Sequence, residues 1–115
     1  MTPADEARGW YPSVTRRYDT PGGAVYVTVA RGPDGSWIDC TAGKSGSEVR
    51  ADAHALSAVT GIALRHGTPP IKLVTALKEI TYEGSAEVRL AKRSGAPVAL
   101  SVADALGDAL WNELV

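Results

Sequence analysis

The chain has 115 residues, of which 44% are hydrophobic and 6% aromatic, and it contains no Phe. This length fits one domain with a modest core of Ala, Val, Leu and Ile, and leaves too little chain for a large self-contained enzyme. Twelve Lys and Arg against thirteen Asp and Glu give a net charge of −1, which argues against a protein that holds nucleic acid by bulk charge alone.

The single cysteine, Cys40, excludes an internal disulfide, a Cys-rich zinc site and a two-thiol redox centre. No apolar run approaches the roughly 18–20 residues of a membrane span. Residues 1–11 lack the apolar segment of a secretory signal. These observations predict a cytoplasmic protein with no membrane partner.

The N-terminal part of the chain predicts a tail followed by strands. Residues 1–13 are predicted to be a tail, and residues 14–115 a single domain. Within that domain, residues 14–18 predict a short strand, and residues 24–31 and 37–42 alternate with the period of a strand. The turn residues between the last two runs predict an antiparallel hairpin with a longer loop.

Alternation also predicts which side chains of the hairpin share a face. One face carries Val25, Val27 and Val29, and Tyr26 lies on the other. In the following strand, Ile38, Cys40 and Ala42 share one face. The valine-rich face is therefore expected to meet the core.

Two helices are predicted next, over residues 48–66 and from Pro69 onward, with Ser47 as the first N-cap and Gly67 as the stop between them. The first helix is expected to bury an apolar stripe made of Val49, Ala53, Leu56, Val59 and Ala63, widened by Ala55, Ala58 and Ile62. Its polar line would be Arg50, His54, Ser57, Gly61 and Arg65.

For residues 83–100, the pattern leaves open whether short strands form around residues 88–90 and 98–100. A last helix then starts at Ser101, with Asp104 in a capping box, and runs to about Leu114. The order of elements predicts an α+β fold, in which a small antiparallel β-sheet with an N-terminal hairpin packs against an α-hairpin and a C-terminal helix.

The loop between the last strand and the first helix is a candidate anion site. Backbone N–H groups beside a helix N-terminus bind phosphate or carboxylate, and Lys and hydroxyl side chains add donors. The candidate ligand-binding residues are Lys44, Ser45, Gly46 and Ser47, with Arg50 in the helix. A nucleotide P-loop also needs a Gly six residues before the Lys, and that position is Ile38. The loop is therefore not a Walker motif, and an ordinary turn with an N-cap is the simpler interpretation.

A second candidate surface combines basic and aromatic residues, which suits single-stranded nucleic acid or a protein partner. Its members are Arg16, Arg17, Tyr26, Trp37, Lys92 and Arg93. An ordinary solvated face is the competing interpretation, and the net charge favours it. No metal pattern and no catalytic residue can be defended from spacing, because the two histidines have no carboxylate spaced to help them. No cofactor is expected.

Several sequence motifs of the chain resemble those of a known family, the TSCPD domain. Residues 20–29 read TPGGAVYVTV, which looks like the family's TPxGxxYVTV. Residues 63–67 (ALRHG), 77–80 (LKEI) and 101–106 (SVADAL) resemble three further family motifs in consistent order. The resemblance covers roughly residues 14–114. It implies a relation to the domain near the C-terminus of adenosylcobalamin-dependent, class II ribonucleotide reductases, here in a stand-alone form.

Two departures limit what the resemblance implies. Tyr82 stands where the family signature usually has Cys, and the Cys-rich tail of many reductases is absent. Radical nucleotide reduction needs a cobalamin site, a thiyl cysteine and a reducing pair, which one cysteine cannot supply. The expected protein is therefore not an enzyme. A small enzyme that uses His54 or Cys40 is the least favoured alternative.

Two function hypotheses follow. The first is a non-catalytic accessory module that docks on a partner protein, such as a ribonucleotide reductase or another large enzyme, or binds a phosphate-bearing ligand. Its link to deoxynucleotide metabolism is implied by the resemblance alone. The alternative is a nucleic-acid-associated or regulatory protein that reuses the same fold. Self-association into a homo-oligomer is open in both cases.

Overall fold

A computed structural model describes residues 12–32, 35–43, 47–79, 99 and 101–115. The order of its elements confirms the predicted α+β fold, in which a three-stranded antiparallel sheet is followed by helices. The predicted N-terminal tail lies outside these residues apart from Pro12 and Ser13. The open strand assignments at residues 88–90 and 98–100 also lie outside them, apart from Ala99.

The sheet is a meander of three neighbouring strands. They are β1 (Ser13–Thr20), β2 (Gly23–Gly32) and β3 (Gly35–Ala42), in the order β1-β2-β3. The strand β1 is longer than the predicted 14–18, because its pairing with β2 continues to Thr20 opposite Gly23. The predicted longer loop after β2 is wrong. Gly32 pairs with Gly35, whose φ of 124° favours glycine, so two residues join these strands.

The predicted alternation is confirmed from Val25 to Val29, whereas Ala30, on the opposite face, is buried as well. Val25, Val27 and Val29 are buried, and Tyr26 is exposed. Ile38 and Cys40 are cross-strand partners of Val29 and Val27, so they extend the same buried face. We call this the inner face and the opposite one the outer face.

Helix α1 (Ser47–Arg65) packs against β3 and ends as predicted. The Gly67 N–H donates to the Leu64 carbonyl at 3.1 Å, and the Thr68 N–H donates to the Ala63 carbonyl at 3.0 Å. Gly67 has a φ of 89°. These two bonds and the positive φ form a Schellman motif, which satisfies the last carbonyls of the helix.

The prediction of which residues of α1 are buried is confirmed only for the first part of the helix. Val49 and Ala53 are buried, but Val59 and Ile62 are 67% and 56% exposed. The buried positions further along the helix are instead Ser57, Thr60, Gly61 and Leu64. Small residues on this side let the helix approach the edge strand closely, since a Cβ added to Gly61 would lie 3.5 Å from the Ile38 carbonyl oxygen. The Ser57 hydroxyl is satisfied within the helix, where it donates to the His54 carbonyl at 3.2 Å.

Helix α2 (Pro70–Lys78) begins with Pro at its first position, as predicted. Val74 and Leu77 are its buried residues. The connection to α1 is short, and the main packing partner of α2 is the C-terminal helix.

Helix α3 (Val102–Leu114) is the centre of the molecule. It contacts the inner face of the sheet, α1 and α2, and every residue from 102 to 107 is buried. A helix that is enclosed on several sides carries apolar residues around most of its circumference, as Val102, Leu106 and Leu110 do here. The predicted cap is present, because the Ser101 hydroxyl accepts a hydrogen bond from the Asp104 N–H at 3.0 Å.

One close approach between the sheet and α1 gives a test of this packing. A Cβ added to Gly22, in the turn between β1 and β2, would overlap the Cγ2 methyl of Val49. Val49 is buried and its β-branched side chain is stiff. We expect Gly22→Ala to lower the free energy of unfolding by about 1–3 kcal/mol, measured by chemical denaturation.

The double variant Gly22→Ala with Val49→Ala provides the control for this overlap. It should cost less than the sum of the two single changes, because the shorter side chain removes the clash. A Gly22→Ala protein within about 0.5 kcal/mol of the wild type would show that the two elements do not meet in this way.

Candidate functional site

The two neighbouring arginines of β1 lie on opposite faces of the sheet. Arg16 lies on the inner side, and its Nη2 contacts the Glu113 carboxylate of α3 at 2.9 Å. Arg17 is the cross-strand partner of Tyr26, on the outer face. Successive strand residues alternate between faces, so the predicted surface that holds both arginines does not form. Arg16 serves instead as a contact between the sheet and α3.

Arg17 and Tyr26 belong to a pocket at one end of the outer face. We call it the sheet-end pocket. It has a volume of about 590 Å³, and it is lined by Arg17, Asp19, Thr20, Gly23, Ala24, Tyr26 and Gly43. The pocket therefore ends at Gly43, the residue that precedes the predicted anion loop.

Gly43 is fixed in place by backbone and ring contacts. Its N–H donates to the Ala24 carbonyl at 2.9 Å, which continues the ladder between β2 and β3. A Cβ at this position would lie 3.3 Å from the Tyr26 ring, so the missing side chain makes room for that ring. Tyr26 remains 38% exposed. The geometry therefore leaves part of an aromatic ring open beside Gly43.

The predicted ligand-binding residues Lys44, Ser45 and Gly46 lie outside the described residues, as does the side chain of Ser47. The structure does describe what flanks them. Helix α1 begins at Ser47, four residues after Gly43, and Val49 contacts the turn at Gly22. The first turn of α1 is thus held against the same end of the sheet that carries the pocket. Arg50 is exposed on α1.

The charged groups of the pocket form one exposed ion pair. Arg17 Nη2 lies 3.2 Å from Asp19 Oδ1, and the two side chains are 60% and 53% exposed. Such a pair contributes at most about 1 kcal/mol to stability, and a guanidinium has five N–H donors, so this contact leaves Arg17 able to donate to an anion. Asp19 was missed from the sequence. Its signal was the i, i+2 spacing from Arg17, which places both on one face of a strand.

The rest of the outer face is poorly suited to a polyanion. Trp37 is the cross-strand partner of Ala30, and Tyr26 lies four residues from Ala30 along β2, so the two aromatic residues are about 13 Å apart along the strands. Asp39 lies between them in β3 and is exposed. Among the described outer-face residues, one cation, Arg17, stands against two carboxylates. Lys92 and Arg93 of the predicted surface lie outside the described residues.

The candidate nucleophile Cys40 is a core residue. Its side chain is buried on the inner face, and burial, followed by the nearby Asp39 charge, raises the pKa of the thiol to about 12. The thiol therefore stays protonated at neutral pH. His54 is exposed on α1, and His66 Nδ1 lies 2.8 Å from the Ile62 carbonyl at the end of that helix. The described residues do not assemble a nucleophile with a base.

A cluster of charged and polar groups joins the helices. Lys78 Nζ contacts Asp104 at 2.7 Å and also contacts Asp108. The aliphatic chain of Lys78 crosses Gly107, where an added Cβ would lie 3.3 Å from Lys78 Cε. Nearby, burial and the Asp108 charge raise the pKa of Tyr18 to about 12. This cluster links α2 to α3, and we assign it a structural role.

Within the described ranges, no group of three or more His, Cys, Asp or Glu residues could hold a metal ion. The same part of the chain contains no helix that is long and apolar enough to cross a membrane.

The fold and its surface define a small α+β domain whose sheet has one face covered by helices and a pocket at the end of the other. The family of this domain is shown by sequence comparison. The chain matches the TSCPD domain over residues 3–114, and it belongs to that family. TSCPD domains occur in class II ribonucleotide reductases. No curated protein and no solved structure matches the chain.

Proposed function

We propose that this TSCPD domain is a non-catalytic binding module that takes a phosphate-bearing ligand at the sheet-end pocket. The observation that carries the proposal is that Arg17, Tyr26 and Gly43 line one pocket, and that α1 begins four residues after Gly43. An arginine supplies a charge-assisted donor for an anion. The N-terminus of a helix favours an anion in general, through its free N–H groups and its positive dipole end. In the sequence, Gly43 is followed directly by a second basic residue, Lys44.

The exposed part of Tyr26 suggests which phosphate-bearing ligands would bind best. An aromatic face next to a cation favours a ligand that combines a phosphate with a planar ring, since stacking on such a face is worth about 1–3 kcal/mol per base. A nucleotide has both groups. The relation of the family to ribonucleotide reductases agrees with this ligand class, and the link to nucleotide metabolism is part of the proposal.

A partner protein, which the family relation also implies, would dock around the same pocket on the outer face. The nucleic-acid alternative is less well supported. Two carboxylates and one cation on the described outer face would repel a phosphate backbone more than attract it.

Titration of the isotope-labelled chain with inorganic phosphate, followed by amide chemical shifts, tests the proposal. We expect saturable shifts at residues 43–48 and at Arg17, and smaller shifts elsewhere. Chloride at the same ionic strength is the control, because screening alone should not produce a saturable change. Absence of shifts at residues 43–48 would rule out the anion site.

A further inference from the structure

The solvent face of α1 is apolar along most of its length. Val59 and Ile62 are 67% and 56% exposed, and Ala51, Ala55 and Ala58 are exposed on the same side. This side lies opposite the residues that pack on β3. Exposed apolar side chains that adjoin one another on a helix are typical of an interaction surface.

The order of residues along this face follows the spacing of paired helices. Positions 51, 55, 58 and 62 alternate steps of four and three, which is the seam of two helices that pack side by side. The same alternation continues to Glu48 before Ala51 and to Arg65 after Ile62. Both of these charged residues are exposed. The face therefore has an acidic residue at one end, apolar residues in the middle and a basic residue at the other end.

This pattern is complementary to itself when two copies run antiparallel. A two-fold axis through the middle of α1 places Glu48 opposite the partner's Arg65. It also places Ala51 opposite the partner's Ile62, a small residue against a large one, and Ala55 opposite the partner's Ala58. A parallel pair would instead place Glu48 and Arg65 each against its own copy, with like charges facing. Charge and size thus select the antiparallel arrangement.

We propose that α1 is a self-association surface, through which two copies of this chain pair antiparallel along residues 48–65. The alanines allow the two helix axes to approach at the short end of the usual 8–10 Å range, and Ile62 and Val59 supply the apolar area. One helix pair is smaller than the roughly 1,200–2,000 Å² of a standard interface, so the dimer is weak and forms reversibly. This inference does not depend on the phosphate site.

Sedimentation equilibrium of the full chain over a range of concentrations tests the surface. The wild type should show a reversible monomer–dimer equilibrium. Ile62→Glu should raise the dissociation constant at least about tenfold, because it replaces the largest apolar side chain of the seam with a charge. Trp111→Glu is the matched control, since Trp111 is 53% exposed on α3 and should leave the equilibrium unchanged. A wild type that stays monomeric at the highest concentration, or a dimer that Ile62→Glu leaves intact, would overturn the proposal.

Charge reversal tests the direction of the pair. Glu48→Lys and Arg65→Glu should each weaken the dimer several-fold at low salt, because each creates two like-charged contacts. The double variant Glu48→Lys with Arg65→Glu should recover the wild-type dissociation constant. In a parallel pair the double variant would keep like charges together, so failure to recover would overturn the antiparallel arrangement. Melting temperatures of all variants separate this effect from loss of folding.

Disulfide cross-linking is a second test of whether the two α1 helices run antiparallel. A mixture of Ala55→Cys and Ala58→Cys proteins should form the mixed disulfide faster than either protein links to itself. Ala76→Cys, at an exposed position of α2, is the control for random collisions. Faster self-linking of Ala55→Cys than mixed linking would indicate a parallel pair and contradict the proposal.

Discussion

Replacing Leu106 by alanine is expected to lower the free energy of unfolding by about 3–5 kcal/mol, the largest effect of any single change that we predict. Leu106 has no exposed surface, and it belongs to α3, the helix that contacts the sheet, α1 and α2. The substitution leaves a cavity that neighbouring elements on several sides cannot all close. A domain of this size is stable by only about 6–17 kcal/mol, so the loss is a large part of the total.

Chemical denaturation of the Leu106→Ala protein measures this loss. Trp111→Ala on the same helix is the control, because Trp111 is 53% exposed and should cost less than about 1 kcal/mol. Equal costs for the two variants would contradict the central position of α3.

Replacing Lys78 by methionine is expected to cost about 2–4 kcal/mol. The change removes an ammonium group that contacts Asp104, whose side chain is only 2% exposed, and removing one partner of a buried ion pair is destabilising. The expected cost lies at the low end for a buried pair because the Lys78 side chain is 33% exposed. Methionine keeps most of the aliphatic contact with Gly107.

Lys72→Met is the matched control for Lys78. Lys72 is exposed on the same helix, and its replacement should change the free energy of unfolding by less than about 0.5 kcal/mol. If Lys78→Met were as mild as Lys72→Met, the contact between α2 and α3 would be apolar packing alone.

The sheet and the C-terminal helix could be predicted from the sequence because their patterns have one interpretation. Val25, Val27 and Val29 lie on one face of β2, and a face made of three valines is the one expected to pack in the core. Ser101 and Asp104 identify the start of α3 through a local hydrogen bond. Local chemistry determines these features, and the rest of the fold has little influence on them.

The buried face of α1 could not be predicted, because hydrophobicity alone misidentifies it. Val59 and Ile62 are more apolar than Ser57 and Gly61, yet they face solvent. The deciding factor is the close approach of the helix to the β3 backbone, which favours small residues and depends on tertiary structure. The exposed apolar face that results is the surface from which we infer self-association.

The candidate site could be predicted in part. Tyr26 and Arg17 were both among the predicted surface residues, and cross-strand pairing brings them together. Arg16 was grouped with them by its place in the sequence, although strand alternation sends it to the other face. Asp19 was missed because its relation to Arg17 becomes visible only once the strand is known to reach Thr20.

The most direct test of the proposed binding site is a comparison of phosphate affinity between Arg17→Gln and Arg31→Gln. Both arginines are exposed, but Arg31 lies toward the opposite end of the sheet and does not line the sheet-end pocket. We expect Arg17→Gln to weaken phosphate binding at least about fivefold, as loss of one charge-assisted contact should, and Arg31→Gln to leave it unchanged. Equal affinities in the two variants would contradict a ligand site at this pocket.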